Sequence, residues 1–189
     1  MFVRKKIFAF IFLLLWGVFQ NCTVTNNEII HKQLFDLNWK FSPGDHTAAN
    51  ETGFNDFNWR SIDLPHDWNT DTVLTDSMKK AEKAGKNTET GWYRKNFEIP
   101  ENWAGKKIVI EFEGINGQHE IFVNGVSVKC TLNDKQQAQA DLTPNLHLKG
   151  NNLIAIRVND SKESVSARKN EKGIFGHVWL VIKDNGRNP

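Results

Sequence analysis

Residues 121–128 read Ile121-Phe122-Val123-Asn124-Gly125-Val126-Ser127-Val128, two short apolar runs joined by Asn-Gly. That step is the strongest short-range hairpin signal, because both residues of the tight turn take positive φ. Working outward, Lys107–Phe112 puts Ile108, Ile110 and Phe112 on one side and Glu111 on the other, the period of a half-buried strand. Leu153–Val158 repeats the pattern with Ile154, Ile156 and Val158, and Val178–Ile182 with Val178, Leu180 and Ile182. Upstream, Trp92–Ile99 sets Phe97 and Ile99 against Arg94 and Glu98, and Asp36–Phe41 sets Leu37, Trp39 and Phe41 against Asn38 and Lys40. Turn residues separate these runs at Pro100-Glu101-Asn102, Gly114, Gly117 and Lys149-Gly150-Asn151-Asn152. The spacing predicts one short helix, Ser77–Ala84, stopped by Gly85. Short strands without βαβ alternation imply an antiparallel sandwich or barrel, here one domain over residues 34–183.

The chain has 189 residues, 39% of them hydrophobic and 24% charged, the composition of an ordinary globular domain. It is too short for a complete (β/α)₈ barrel, which takes about 250 residues. Lys and Arg number 24 against 22 Asp and Glu. Setting aside the leader's three cations, Arg4, Lys5 and Lys6, leaves 21 against 22, so no basic excess supports a nucleic-acid partner.

Residues 1–21 have the anatomy of a secretory signal: a basic start, then the apolar run Ile7–Phe19. At 13 residues that run is short for a spanning helix, which needs about 20. Export is the expectation, to the periplasm or, as a lipoprotein, to the outer membrane or cell surface. Cys22 follows the leader directly, as the acylated cysteine of a bacterial lipoprotein does, although Phe19-Gln20-Asn21 match the small-residue signal poorly. Membrane contact is expected only through that lipid. Residues 22–33 read as a polar linker and 184–189 as a polar tail. With Cys22 lipidated or removed, Cys130 has no disulfide partner.

Six segments recur in one order: LNWKFSPGD (37–45), FNWRSIDLPHDW (57–68), GWYRKNF (91–97), VNG…DLTP (123–125 and 141–144), NLIAIRV (152–158) and GIFGHVWL (173–180). Together they resemble the N-terminal sugar-binding domain of glycoside hydrolase family 2, with the nearest likeness to bacterial β-galactosidases. The resemblance implies an all-β jelly-roll sandwich of the galactose-binding-like type with one short helix at most. It implies a carbohydrate partner, a β-galactoside-type glycan, and no cofactor. It also implies docking against a catalytic (β/α)₈ barrel whose two glutamates lie outside these 189 residues, so that the domain is not catalytic alone.

Other chemistries find little support. Glu111 and Glu113 share a strand face at about 6.6–6.8 Å, near the carboxyl spacing of a glycosidase. The alternation places both on the face opposite Ile110 and Phe112, where no pocket would split their pKa values. No nucleophile-elbow sequence occurs, and the six histidines lack metal-ligand spacing.

Sugars stack on flat aromatics while polar groups fix their hydroxyls. Trp39, Trp59 and Trp179 lie in strand patterns that favour packing. Trp68 instead follows Pro65 in a loop, so His66, Asp67 and Trp68 are the first contact candidates. The alternative for His66 and Asp67 is that they only brace the turn. Trp92 and Tyr93, beside Arg94, are candidates with the same ambiguity. Two loops depart from the family: Arg-Asp before the last strand is replaced by Gly176-His177, and a glycine-tyrosine-aromatic stretch by Lys135–Ala140. A rival reading is a stand-alone exported carbohydrate-binding lipoprotein, and a third is a structural partner for a separately encoded barrel.

Overall fold

The computed structural model describes residues 29–83, 89–133, 137–159 and 171–184. The leader, Cys22, the tail beyond 184, and residues 134–136 and 160–170 near the two departing loops lie outside the described residues. Among the described residues thirteen strands form: β1 (Ile29–Leu34), β2 (Trp39–Pro43), β3 (Arg60–Ile62), β4 (His66–Asp67), β5 (Thr90–Glu98), β6 (Lys107–Phe112), β7 (Gln118–Val123), β8 (Val126–Val128), β9 (Cys130–Leu132), β10 (Ala138–Asp141), β11 (Asn151–Asn159), β12 (Gly173–Ile174) and β13 (Val178–Lys183). One α-helix among the described residues, α1 (Thr72–Lys83), lies between β4 and β5. It starts five residues before the position expected from sequence.

The strands pair antiparallel in a five-stranded sheet, β1-β13-β6-β10-β9, and a six-stranded sheet, β3-β2-β5-β11-β7-β8. A two-stranded ribbon, β12-β4, closes one end. The facing sheets bury Trp39, Phe41, Tyr93, Ile108, Ile110, Phe112, Ile121, Ile154 and Ile156 between them. This is the jelly-roll sandwich that the motif order implied. The Asn124-Gly125 turn has the predicted positive φ, 51° and 86°, and sets Val123 opposite Val126.

Four local readings change. Residues 29–33, expected to be linker, run into β1 and pair with β13, His31 opposite Ile182 and Gln33 opposite Leu180. Their backbone completes the sheet edge while every side chain stays exposed, which is why the segment reads as polar. Leu37 is 57% exposed because Asn38 takes φ 60° and β2 begins only at Trp39. Glu111 is covered rather than solvated, its carboxylate 3.8 Å from Lys32 Nζ and 3.9 Å from Lys183 Nζ.

The fourth change concerns Arg94, which points away from the inter-sheet core yet is only 2% exposed. The segment 44–59 folds back over the outer face of the six-stranded sheet, and Arg94 holds it there. Its Nε donates to Asp56 Oδ2 at 2.9 Å, and its Nη1 donates to the carbonyls of Ala49 and, at 3.1 Å, Glu51. A charge so buried is tolerable only when its donors are filled. Under the same segment Ala49, Trp92 and Ala155 form a second core with Phe54, Trp59 and Phe122. This explains why β11 reads as a nearly unbroken apolar run instead of alternating.

Candidate functional site

The ribbon end of the sandwich gathers most residues singled out from sequence. His66 and Asp67 form β4, Trp68 follows, and Tyr93 reaches them from β5. The Tyr93 hydroxyl lies 3.0 Å from His66 Nδ1 and accepts the Ile174 amide at 3.3 Å. Phe41 packs on all three rings, centroid to centroid 4.7 Å from His66, 5.4 Å from Trp68 and 4.7 Å from Tyr93. His66, Trp68 and Tyr93 are buried, so none presents an open ring face for a sugar. Burial drives the Tyr93 phenol far above its ordinary range and holds His66 below the usual imidazole range, although Asp71 pulls the other way. Asp71 Oδ2 stands 3.4 Å from His66 Nε2 and also takes Arg60 Nη1.

Asp67 braces. Its Oδ1 accepts the Asn69 amide at 2.9 Å and the Lys172 amide at 2.9 Å, so one carboxylate fixes its own turn and pins the strand that pairs with it. Trp92 is separated from this group, on the opposite sheet face. Its indole stacks on Phe122 at 5.9 Å and donates to Asp45 Oδ1 at 3.3 Å. Asp45 is itself clamped by Arg157 at 3.0 and 2.8 Å, and those bonds hold its carboxyl below the usual range. The loop position of Trp68 therefore signalled a buried residue: LPHDW turns inward at the end of the sandwich, and the space beside Gly91 receives the indole.

Next to this core lies an accessible rim that sequence reasoning did not assemble. His177, at the start of β13, is half exposed, and its Nδ1 donates to the buried Asp36 Oδ2 at 2.6 Å. That bond raises His177 above the ordinary imidazole range. Trp179, on the same face of β13, is half-buried rather than core, with its ring centroid 6.4 Å from that of His177. Its Nε1 donates to Glu113 Oε1 at 2.8 Å, and Lys32 Nζ lies 4.6 Å over the ring. An oriented imidazole, an indole and a carboxylate are thus adjacent on an outer surface. Among the described residues no group of three or more His, Cys, Asp or Glu is placed to hold a metal. The replacement of Arg-Asp by Gly176-His177 was the one sequence signal pointing here. Asp36 gave none, because its partner is 141 residues away.

Comparison with known proteins agrees with this architecture. Residues 34–182 match the family described as "Glycosyl hydrolases family 2, sugar binding domain". Among curated relatives, "Beta-galactosidase BoGH2A" of Bacteroides ovatus is 35% identical over 147 residues, which covers 77% of this chain and 17% of that protein. A "Beta-glucuronidase" of Formosa agariphila is 32% identical over 131 residues, 68% of this chain and 13% of the other. Among solved structures, a Bacteroides uniformis beta-glucuronidase superposes with a TM-score of 0.67 at 29% identity, covering 82% of this chain and 18% of that one. The chain therefore spans less than a fifth of the length of these relatives. With the motif order, the sandwich and a family match across nearly the whole described domain in agreement, the chain belongs to the sugar-binding domain family of glycoside hydrolase family 2.

Proposed function

We propose that this domain forms the sugar-facing support of an exported β-galactosidase-type glycosidase in carbohydrate breakdown, and that bond cleavage belongs to a catalytic barrel against which it docks. It does not hydrolyse glycans by itself. The observation that carries this reading is the rim at the start of β13, where a buried Asp36 orients the half-exposed His177 beside Trp179 and Glu113. An indole offers a face to sugar C–H groups, while imidazole and carboxylate serve hydroxyls. A β-galactoside is the substrate class taken from the B. ovatus relative. The glucuronidase relatives make a β-glucuronide the competing outcome.

A second reading rests on Cys22, which follows the apolar leader directly. Acylated there, the domain would act as a stand-alone carbohydrate-binding lipoprotein at the cell surface. Blotting producing cells with an antibody against residues 34–183 separates the two. A band far larger than 189 residues supports the glycosidase. In that product, Trp179→Ala and His177→Ala should raise KM for an aryl β-galactoside severalfold while changing kcat less. A single band near the mass of 189 residues, with calorimetric binding of methyl β-galactoside, supports the lipoprotein module and removes the first reading.

A further inference from the structure

Beside the rim, the segment that leaves β6 crosses the one that leads into β13. The Glu113 amide donates to the His177 carbonyl at 2.9 Å, and the Gly176 amide to the Gly114 carbonyl at 3.0 Å. The crossing is close enough to require glycine on both sides. A Cβ on Gly176 would lie 2.3 Å from the Gly114 nitrogen, and one on Gly114 would lie 2.3 Å from Phe175 Cε2. The Phe175 ring is thereby seated on bare backbone next to Glu113.

Phe175 and Glu113 line a cavity of about 220 Å³ together with Gly114, Ile115, His119 and Gln137. Drug-sized ligands occupy pockets of about 300–1,000 Å³, so this smaller one suits a single sugar ring and not an extended glycan. Glu113 is exposed, and its Oε1 accepts the Trp179 indole N–H at 2.8 Å, so one carboxylate faces both the rim and the cavity. His119 supplies a neutral wall. Its Nδ1 lies 3.2 Å from the Gly117 carbonyl and its Nε2 lies 3.2 Å from Cys130 Sγ, while burial holds the imidazole below its ordinary range. Among the described residues that line the cavity, Glu113 is therefore the one that is charged at neutral pH.

We infer that this cavity is a subsite for a single neutral pyranose, which sets its ring against Phe175 and donates hydroxyl hydrogen bonds to Glu113, and that it turns away a uronate. An aromatic ring beside a hydrogen-bond acceptor matches the apolar C–H face and adjoining hydroxyls of a sugar. An ionised carboxylate accepts and does not donate, so a hydroxyl complements Glu113, whereas a sugar carboxylate meets it with like charge. The rim's cations do not offset that repulsion, because His177 is engaged with Asp36 at 2.6 Å and Lys32 lies 3.8 Å from Glu111. This selection rests on the sugar-facing role proposed above and favours a β-galactoside over a β-glucuronide.

The test titrates the full chain at low salt with methyl β-galactoside and with methyl β-glucuronide, followed by nuclear magnetic resonance. The galactoside should bind and give nuclear Overhauser contacts from its ring protons to the Phe175 ring and the Ile115 methyls. The glucuronide should bind about fivefold more weakly or worse, and Glu113→Gln should remove that difference by raising glucuronide affinity. Galactoside contacts at Trp179 and His177 with none at Phe175 or Ile115 would overturn the cavity and leave the rim reading in place. Glucuronide bound by the parent as tightly as galactoside, or a preference unchanged in a folded Glu113→Gln, would overturn the charge selection. Binding of neither sugar would overturn the subsite and the sugar-facing role together.

Discussion

Asp36 and His177, 141 residues apart, approach to 2.6 Å between Oδ2 and Nδ1 and join the entry to β2 in one sheet with the entry to β13 in the other. The carboxylate is buried and also accepts the Val178 amide at 2.8 Å. Around it the Phe35 amide donates to the Val178 carbonyl at 2.8 Å and the Leu64 amide to the Asp36 carbonyl at 2.9 Å. The Asp36 side chain thus fixes the 177–178 segment and sets the direction of the half-exposed imidazole on the rim, while its main-chain carbonyl holds the segment at Leu64.

That arrangement gives stability a pH dependence with two limbs. The hydrogen bond to Asp36 raises His177 in the folded state, so its contribution is full below the unfolded histidine value of about 6.5 and is lost as pH rises through the raised folded value. Burial lowers His66, so the folded state disfavours its protonation, and stability falls as pH drops below about 6.5. Urea denaturation from about pH 5 to 9 should show both limbs. His177→Ala should flatten the alkaline limb and leave the acid limb in place. An alkaline slope that survives the substitution would assign it to another group.

Asp67→Ala separates bracing from ligand contact. The carboxylate accepts two backbone amides, Asn69 and Lys172, each at 2.9 Å, and alanine leaves both unserved. Loss of a local cap of this kind costs about 1–2 kcal/mol. The domain should therefore melt several degrees lower with no sugar present. A melting temperature within error of the parent would return Asp67 to the list of ligand contacts.

The strands were legible because alternation and turn chemistry are local. Ile108, Ile110 and Phe112 announce β6 whatever lies across from them, and Asn124-Gly125 announces its hairpin. The burial of Trp68 was not legible, since it depends on a glycine 23 positions away and on a segment that returns from residue 173. Arg94 and Asp36 fail for the same reason. A polar side chain looks solvated in sequence until the residues that fill its hydrogen bonds, here 49–56 and 177–178, are brought back over it. Residues 29–33 show the reverse case, an edge strand whose side chains all stay exposed, so that it carries no apolar period.

Gly91 marks the closest approach in the aromatic core. A Cβ built there would lie 2.2 Å from Trp68 Cζ3 and 2.8 Å from Phe41 Cε2, and neither ring is free to withdraw. Gly91→Ala should cost about 3 kcal/mol or more, above the usual range for overpacking because two buried rings must move together. Chemical denaturation reads the loss directly. A cost below about 1 kcal/mol would mean that the Trp68 indole has an alternative seat, and with it freedom to reach the rim.

Thr90, the first residue of β5, is fully buried, and among the described residues its Oγ1 finds no hydrogen-bond partner. A buried hydroxyl in that condition costs about 1–3 kcal/mol. Valine keeps the volume and branching and suits a strand equally well. Thr90→Val should therefore stabilise the domain by about 1 kcal/mol, read as a higher urea midpoint at unchanged slope. The opposite sign would be informative, because it would point to a polar partner on the hydroxyl in the parent. Repeating the denaturation with methyl β-galactoside then identifies that partner. Stabilisation of the parent but not of Thr90→Val would make it a sugar hydroxyl, while equal midpoint shifts in both would leave it as water held at the start of β5.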